Sequence, residues 1–232
     1  MNLKTKTFVL TALLATQFLY LKAQNCESYF PMKLGATWEV KSYDAKDKLT
    51  GTNNSKITKS DGTTNNLSAT VSFESFDNKN VSQGTGEYII KCSNGVFSVD
   101  MKSMLNSKTM EVYKDMDITV TGDEMEMPSA PTVGQTLKDA NLAIIVNGGM
   151  TMMNLTMKLY NRKVAAIETV ITPAGTFENC VKITYDATTN MMFKVETSGM
   201  DWYAKNIGMV KSESYDSKGK KISSSVLTSI KQ

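Results

Sequence analysis

Histidine is missing from all 232 residues. Without imidazole the chain has no Ser-His-Asp or Cys-His nucleophile and no imidazole ligand for a metal. Arginine is almost absent as well, with Arg162 the single guanidinium. That removes the usual bidentate reader of phosphates and base edges and argues against nucleic-acid binding. No P-loop and no dinucleotide-binding glycine pattern occurs, so no cofactor is expected. Proline is scarce at 4 residues and cysteine at 3. Three cysteines allow at most one internal disulfide, and the spacing of Cys26, Cys92 and Cys180 leaves the pair open.

Long apolar runs are scarce too, apart from one at the start. Lys4 and Lys6 precede an apolar stretch from Phe8 to Leu21, too short to span a bilayer comfortably. Residues 1–24 therefore read as a secretory signal, and residues 25–232 as the exported chain. Asn25 stands where a lipoprotein signal needs a small residue before its acylated Cys, so Cys26 is not expected to carry lipid. The expected location is the periplasm or the cell surface, with no transmembrane segment after signal removal. Three lysines leave with the signal and no acids do, so 23 basic residues face 23 acidic ones.

What is present is alternation. Leu67, Ala69, Val71 and Phe73 share one face of a strand, as do Tyr88, Ile90 and Cys92. Leu142, Ile144 and Val146 alternate up to Asn147-Gly148-Gly149, and a long return follows to Tyr160. Val164 to Ile171 and Phe177 to Tyr185 flank Pro173-Ala174-Gly175 as a further hairpin. Asp100 to Asn106 alone has helical spacing, with Asp100 placed to cap it. Val112 to Val120 reads as a strand, followed by a turn at Thr121-Gly122 inside an acidic hairpin. The fold class is all-β with minor α, an antiparallel meander of roughly ten to thirteen strands bent into a curved sheet, half-barrel or open barrel. Pro128 to Pro131 marks a possible boundary between halves, near 128–132.

One turn recurs three times. Ser42-Tyr43-Asp44-Ala45-Lys46, Ser75-Phe76-Asp77-Asn78-Lys79 and Ser214-Tyr215-Asp216-Ser217-Lys218 align without gaps. An Asp at a turn entrance can accept bonds from the backbone ahead of it, so Asp44, Asp77 and Asp216 read as structural. Arg162, the lone guanidinium, is expected to be partly buried on a carboxylate or on backbone carbonyls.

Methionine is abundant, at 16 residues. Thioethers can bind Cu(I), but no His or paired Cys accompanies them, and no metal site is assigned. Met also lines pliable apolar cavities. Candidate lining residues are Trp38, Met150, Met152, Met153, Met191, Met192 and Trp202.

The segments YFPMKLGATWEV, VGQTLKDA (Val133 to Ala140), NRKVAAIETVITPAGTFENCVKI (Asn161 to Ile183) and DWYAKNIGMVKSESYDSKGK (Asp201 to Lys220) resemble the TapB-like exported proteins. These go with a broader class of periplasmic domains of unknown function. The resemblance implies a curved antiparallel sheet or open barrel, similar to the lipoprotein-carrier half-barrels, and supplies no catalytic residues. The resulting expectation is a non-catalytic envelope protein whose sheet shelters an apolar ligand or lipid. A module that binds another envelope protein through a filled core is the alternative, and a carboxylate-based hydrolase the second.

Overall fold

Alternating side chains commit a chain to sheet, and here the alternation runs nearly from end to end. The computed structural model describes residues 29–63, 65–104, 116–148, 151–191 and 193–232. The signal segment and Cys26 lie outside them. Five strands come first: β1 (Thr37–Asp44), β2 (Leu49–Thr63), β3 (Asn66–Asp77), β4 (Ser82–Ser93) and β5 (Val96–Asp100). Next are β6 (Asp117–Gly122), β7 (Glu124–Pro128), β8 (Ala140–Gly148) and β9 (Thr151–Thr172). The chain ends with β10 (Gly175–Asn190), β11 (Lys194–Ala204), β12 (Gly208–Asp216) and β13 (Lys221–Lys231).

All thirteen belong to one antiparallel sheet, in the order β6-β8-β9-β10-β11-β12-β13-β1-β2-β3-β4-β5-β7. The sheet curls into a nearly closed barrel, and the chain's first and last strands meet within it, Thr37 opposite Lys231. Curling buries one face of each strand. Ile57, Val71, Ile90, Val99, Val164, Val181, Val210 and Leu227 are fully enclosed there. No helix among the described residues is long and apolar enough to cross a membrane.

Two expectations change. The helical patch is one 3₁₀ turn, Met101–Met104, with Lys102 N donating to Asp100 Oδ1 at 3.0 Å. Residues 105–115 lie outside the described chain. The acidic segment is not a hairpin, because β6 and β7 lie at opposite edges of the sheet with only Asp123 between them. β6 pairs with β8 and β7 with β5, so this stretch crosses the gap and closes the ring covalently. Asp123 N donates to Asn141 O at 2.8 Å as it crosses.

Past the crossing, Arg162 secures the seam. It is only 4% exposed. Its Nη1 donates to Lys138 O at 2.6 Å and its Nη2 to Glu126 O, on β7, at 3.1 Å. The planar guanidinium reaches both carbonyls at once from a rigid fork of donors, a geometry that a compact ammonium does not present. Burial lowers its pKa, and nearby Tyr203, Asp201, Asp139 and Glu126 favour the charged form.

The three repeated turns are alike in structure. Asp44 Oδ1 accepts from Lys46 N and Lys48 N at 2.8 and 3.0 Å. Asp77 Oδ1 accepts from Lys79 N and Val81 N, both at 2.9 Å, and Asp216 Oδ1 from Lys218 N and Lys220 N, also at 2.9 Å. A left-handed residue completes each turn: Asp47 at φ 57°, Asn80 at 61° and Gly219 at 76°. A register shift falls at each Ser-aromatic step, before Tyr43, Phe76 and Tyr215. All three turns lie at the same end of the barrel, because each joins consecutive strands running in the same two directions.

Candidate ligand-binding site

The inward face of the barrel is apolar towards one end and polar towards the other. At the apolar end, Tyr29, Phe30 and Pro31 fold under the sheet. Phe30 stacks on Phe97 with ring centroids 5.4 Å apart, and meets Trp38 and Tyr88 edge-on at 6.0 and 6.3 Å. Each such pair is worth about 1 kcal/mol beyond its buried area. Gly208, at φ 103°, turns β11 into β12 beside this plug; its absent Cβ would lie 3.7 Å from Pro31 Cδ.

Between the plug and the repeated turns lies a cavity of about 380 Å³. Phe30, Trp38, Phe73, Tyr88, Tyr203 and Met209 form much of its apolar wall. Ser42, Asn53, Ser55 and Ser225 line its other part, and each is nearer the turn end than its apolar neighbours on the same strand. Ser42 and Ser225 share a hydrogen bond at 2.9 Å, Ser55 donates to Asn53 Oδ1 at 2.9 Å, and Asn53 Nδ2 donates to Ser75 Oγ at 3.0 Å. No Lys, Arg, Asp or Glu lines the cavity. Burial raises the pKa of Tyr88 and of Tyr203, so both phenols stay protonated at neutral pH.

A polar rung continues behind this wall. Asp201, Ser212, Ser225 and Ser42 stand opposite one another on β11, β12, β13 and β1. Ser212 Oγ donates to Asp201 Oδ1 at 2.7 Å, with Tyr203 and Tyr185 hydroxyls at 3.4 and 3.5 Å from the same carboxyl. Burial raises the pKa of Asp201, opposed by those hydrogen bonds. Tyr185 reaches it by lying across Gly199, where a Cβ would come within 2.3 Å of the ring.

Two wider and more open clefts measure about 930 and 710 Å³; the larger shares Trp38, Ser55 and Phe73 with the cavity, and the smaller lies apart from it. The larger gathers Glu39, Glu74 and Glu87 with Lys56 and Lys231. Among the described residues, no group of three or more His, Cys, Asp or Glu is placed to hold a metal. The apolar cavity is the least open of the three and the better ligand site, because a pocket must remove most of a ligand from water.

A family model matches residues 33–227, which takes in every cavity-lining residue except Phe30. The chain belongs to the DUF3108-like family. Two crystal structures share its architecture. A Bacteroides fragilis protein, described as exported and of YmcC-like fold, is 26% identical with a TM-score of 0.74, covering 89% of this chain and 100% of that one. A Parabacteroides distasonis protein, described as a lipoprotein, is 24% identical with a TM-score of 0.75 and the same coverage, and shows the fold alone. None of the curated proteins matches the chain.

Within this DUF3108-like barrel the sequence-predicted lining residues divide. Trp38 lines the cavity. Trp202 does not: it lies opposite Lys182 and Lys211, on the other side of the sheet from Tyr203. The two ammonium groups sit 4.8 and 4.6 Å from its ring, and its Nε1 donates to Glu168. Met191 is 54% exposed at the β10–β11 tip, beyond the barrel. Met152 and Met153 belong to β9, but their side chains lie outside the described set, as do Met150 and Met192 entirely. The methionines that line the cavity are Met125 and Met209. Inward aromatics were the usable signal, since Phe73 and Tyr88 already stood on apolar strand faces. Cys92 is buried and disulfide-bonded, whereas Cys180 is a free buried thiol whose pKa burial raises.

Proposed function

We propose that the chain is a non-catalytic exported envelope protein that shelters an apolar ligand or lipid inside its barrel, and that it falls among the TapB-like members of its family. The cavity carries this reading: about 380 Å³, walled by aromatics and free of charged side chains. Its size falls within the usual range for small-molecule sites. The descriptions of the two structural neighbours, one exported and one a lipoprotein, support an envelope location.

The test is native mass spectrometry of protein purified from its own envelope. A bound lipid should appear on the unaltered chain and be lost from Met209→Trp, whose indole would fill the space while keeping the wall apolar. A protein that arrives empty, and binds no lipid on refolding with envelope extract, would sink the proposal. A second reading, docking to another envelope protein, draws on the β10–β11 tip, where Phe193 is 75% exposed beside Met191 and Val195. Phe193→Ser should then weaken that association without changing lipid content.

A further inference from the structure

The cavity's two walls differ in a way that specifies more than apolarity. We infer that the ligand is an uncharged single-chain amphiphile, held with its hydrocarbon tail against Phe30, Trp38 and Tyr88 and its hydroxyl or amide head at Ser42, Asn53 and Ser225. This rests on the sheltering role proposed above and adds the headgroup and its orientation.

Three observations carry it. The polar residues are grouped, not scattered: Ser42 and Ser225 face each other at 2.9 Å, with Asn53 on the next strand. Each serine hydroxyl is one donor with two acceptor lone pairs, so the Ser42–Ser225 bond leaves capacity for a ligand oxygen or nitrogen. A purely hydrocarbon guest would cover these half-buried groups without offering them a hydrogen-bond partner, at a cost. Second, no ionised side chain lines the space, so a carboxylate, phosphate or ammonium head would enter without a counter-ion. Transfer of an unpaired charge to such a site is strongly unfavourable. Third, direction: Phe30 closes the far end against Trp38, Tyr88 and Phe97, while the serines lie on the side of the three repeated turns. The tail therefore enters first and the head stays towards the turn end.

The experiment is calorimetric titration of the delipidated protein at neutral pH with three probes of equal chain length: a 1-monoacylglycerol, the corresponding fatty acid and the corresponding alkane. The monoacylglycerol should bind tightest. The double change Ser42→Ala with Ser225→Ala should weaken it roughly 5- to 10-fold while leaving the alkane unmoved. Removing both partners of a hydrogen bond together leaves no orphaned polar atom, so the variant keeps its fold. Fatty acid binding as tightly as the glyceride, or glyceride affinity untouched by the double change, overturns the headgroup assignment alone. Binding of none of the three overturns it together with the sheltering role.

Discussion

Arg162 bonds two carbonyls from segments that do not pair with each other as strands, and so joins the two sides of the seam. Arg162→Lys keeps the charge but loses the fork, leaving one buried carbonyl without a donor. Unfolding in urea should show a loss of about 1–3 kcal/mol; an unchanged midpoint would remove Arg162 from this role. Asp201 makes the opposite kind of contribution. Its pKa is raised on folding, chiefly by burial, so the folded chain holds that proton more tightly than the unfolded one. Stability from this group therefore declines as pH rises from the ordinary carboxylate range through the raised value. Asp44 and Asp216 run the other way. Backbone N–H donors, first those of Lys48 and Lys220, lower their pKa, so their contribution is present above the ordinary value and lost as pH falls. Asp201→Asn should flatten the decline in melting temperature as pH rises above the ordinary carboxylate range, relative to the unaltered chain. Parallel curves for the two proteins would show that Asp201 titrates as it does in the unfolded chain.

At the scale of elements, the repeated turn was legible because its chemistry is local. An Asp, two backbone donors within four residues and a left-handed position are all contained in one short string. The split between β6 and β7 was not legible. A string of acids around Thr121-Gly122 has the look of a hairpin, and only the position of β5 and β8 on the two sides of a closing ring decides otherwise. Of the methionine-rich strings at Met150–Met153 and Met191–Met192, only Met191 has a described side chain. Met191, at the β10–β11 tip, meets solvent, while the single methionines Met125 and Met209 reach the cavity. Two glycines separate local from long-range demands. Gly219 needs only its left-handed φ, with nothing near a would-be Cβ, and Gly219→Ala should cost about 1 kcal/mol. Gly199 has ordinary φ but supports the Tyr185 ring, so Gly199→Ala must displace an aromatic side chain and should cost more. Thermal melts of the two variants side by side check the order; a Gly199 variant as stable as the parent would mean Tyr185 moves freely.

At the scale of the molecule, antiparallel sheet and curvature were readable, because alternation with short polar turns leaves a chain few other ways to bury its apolar face. Closure was harder to read, since a half-barrel and a nearly closed one present the same alternation. What separates them is pairing across the whole length: β1 with β13, and the crossing at Asp123. The cavity depends on the β1–β13 pairing, because its wall draws residues from β11, β12 and β13 on one side of it and from β1, β2, β3, β4, β5 and β7 on the other.

The meeting of β1 and β13 also orders events in time. Strand β1 is the first of the thirteen described strands to be made, yet one of its two neighbours is the thirteenth. Until Lys221–Lys231 arrives, β1 and β12 each offer an unpaired edge on which another chain can add. A chain ending at Asp216 should therefore self-associate when refolded, and a separate peptide spanning Lys221–Lys231 should suppress that by taking the vacant place. Light scattering during refolding, with and without the peptide, would show it. A sheet whose first and thirteenth strands must pair cannot satisfy both edges until both strands are present.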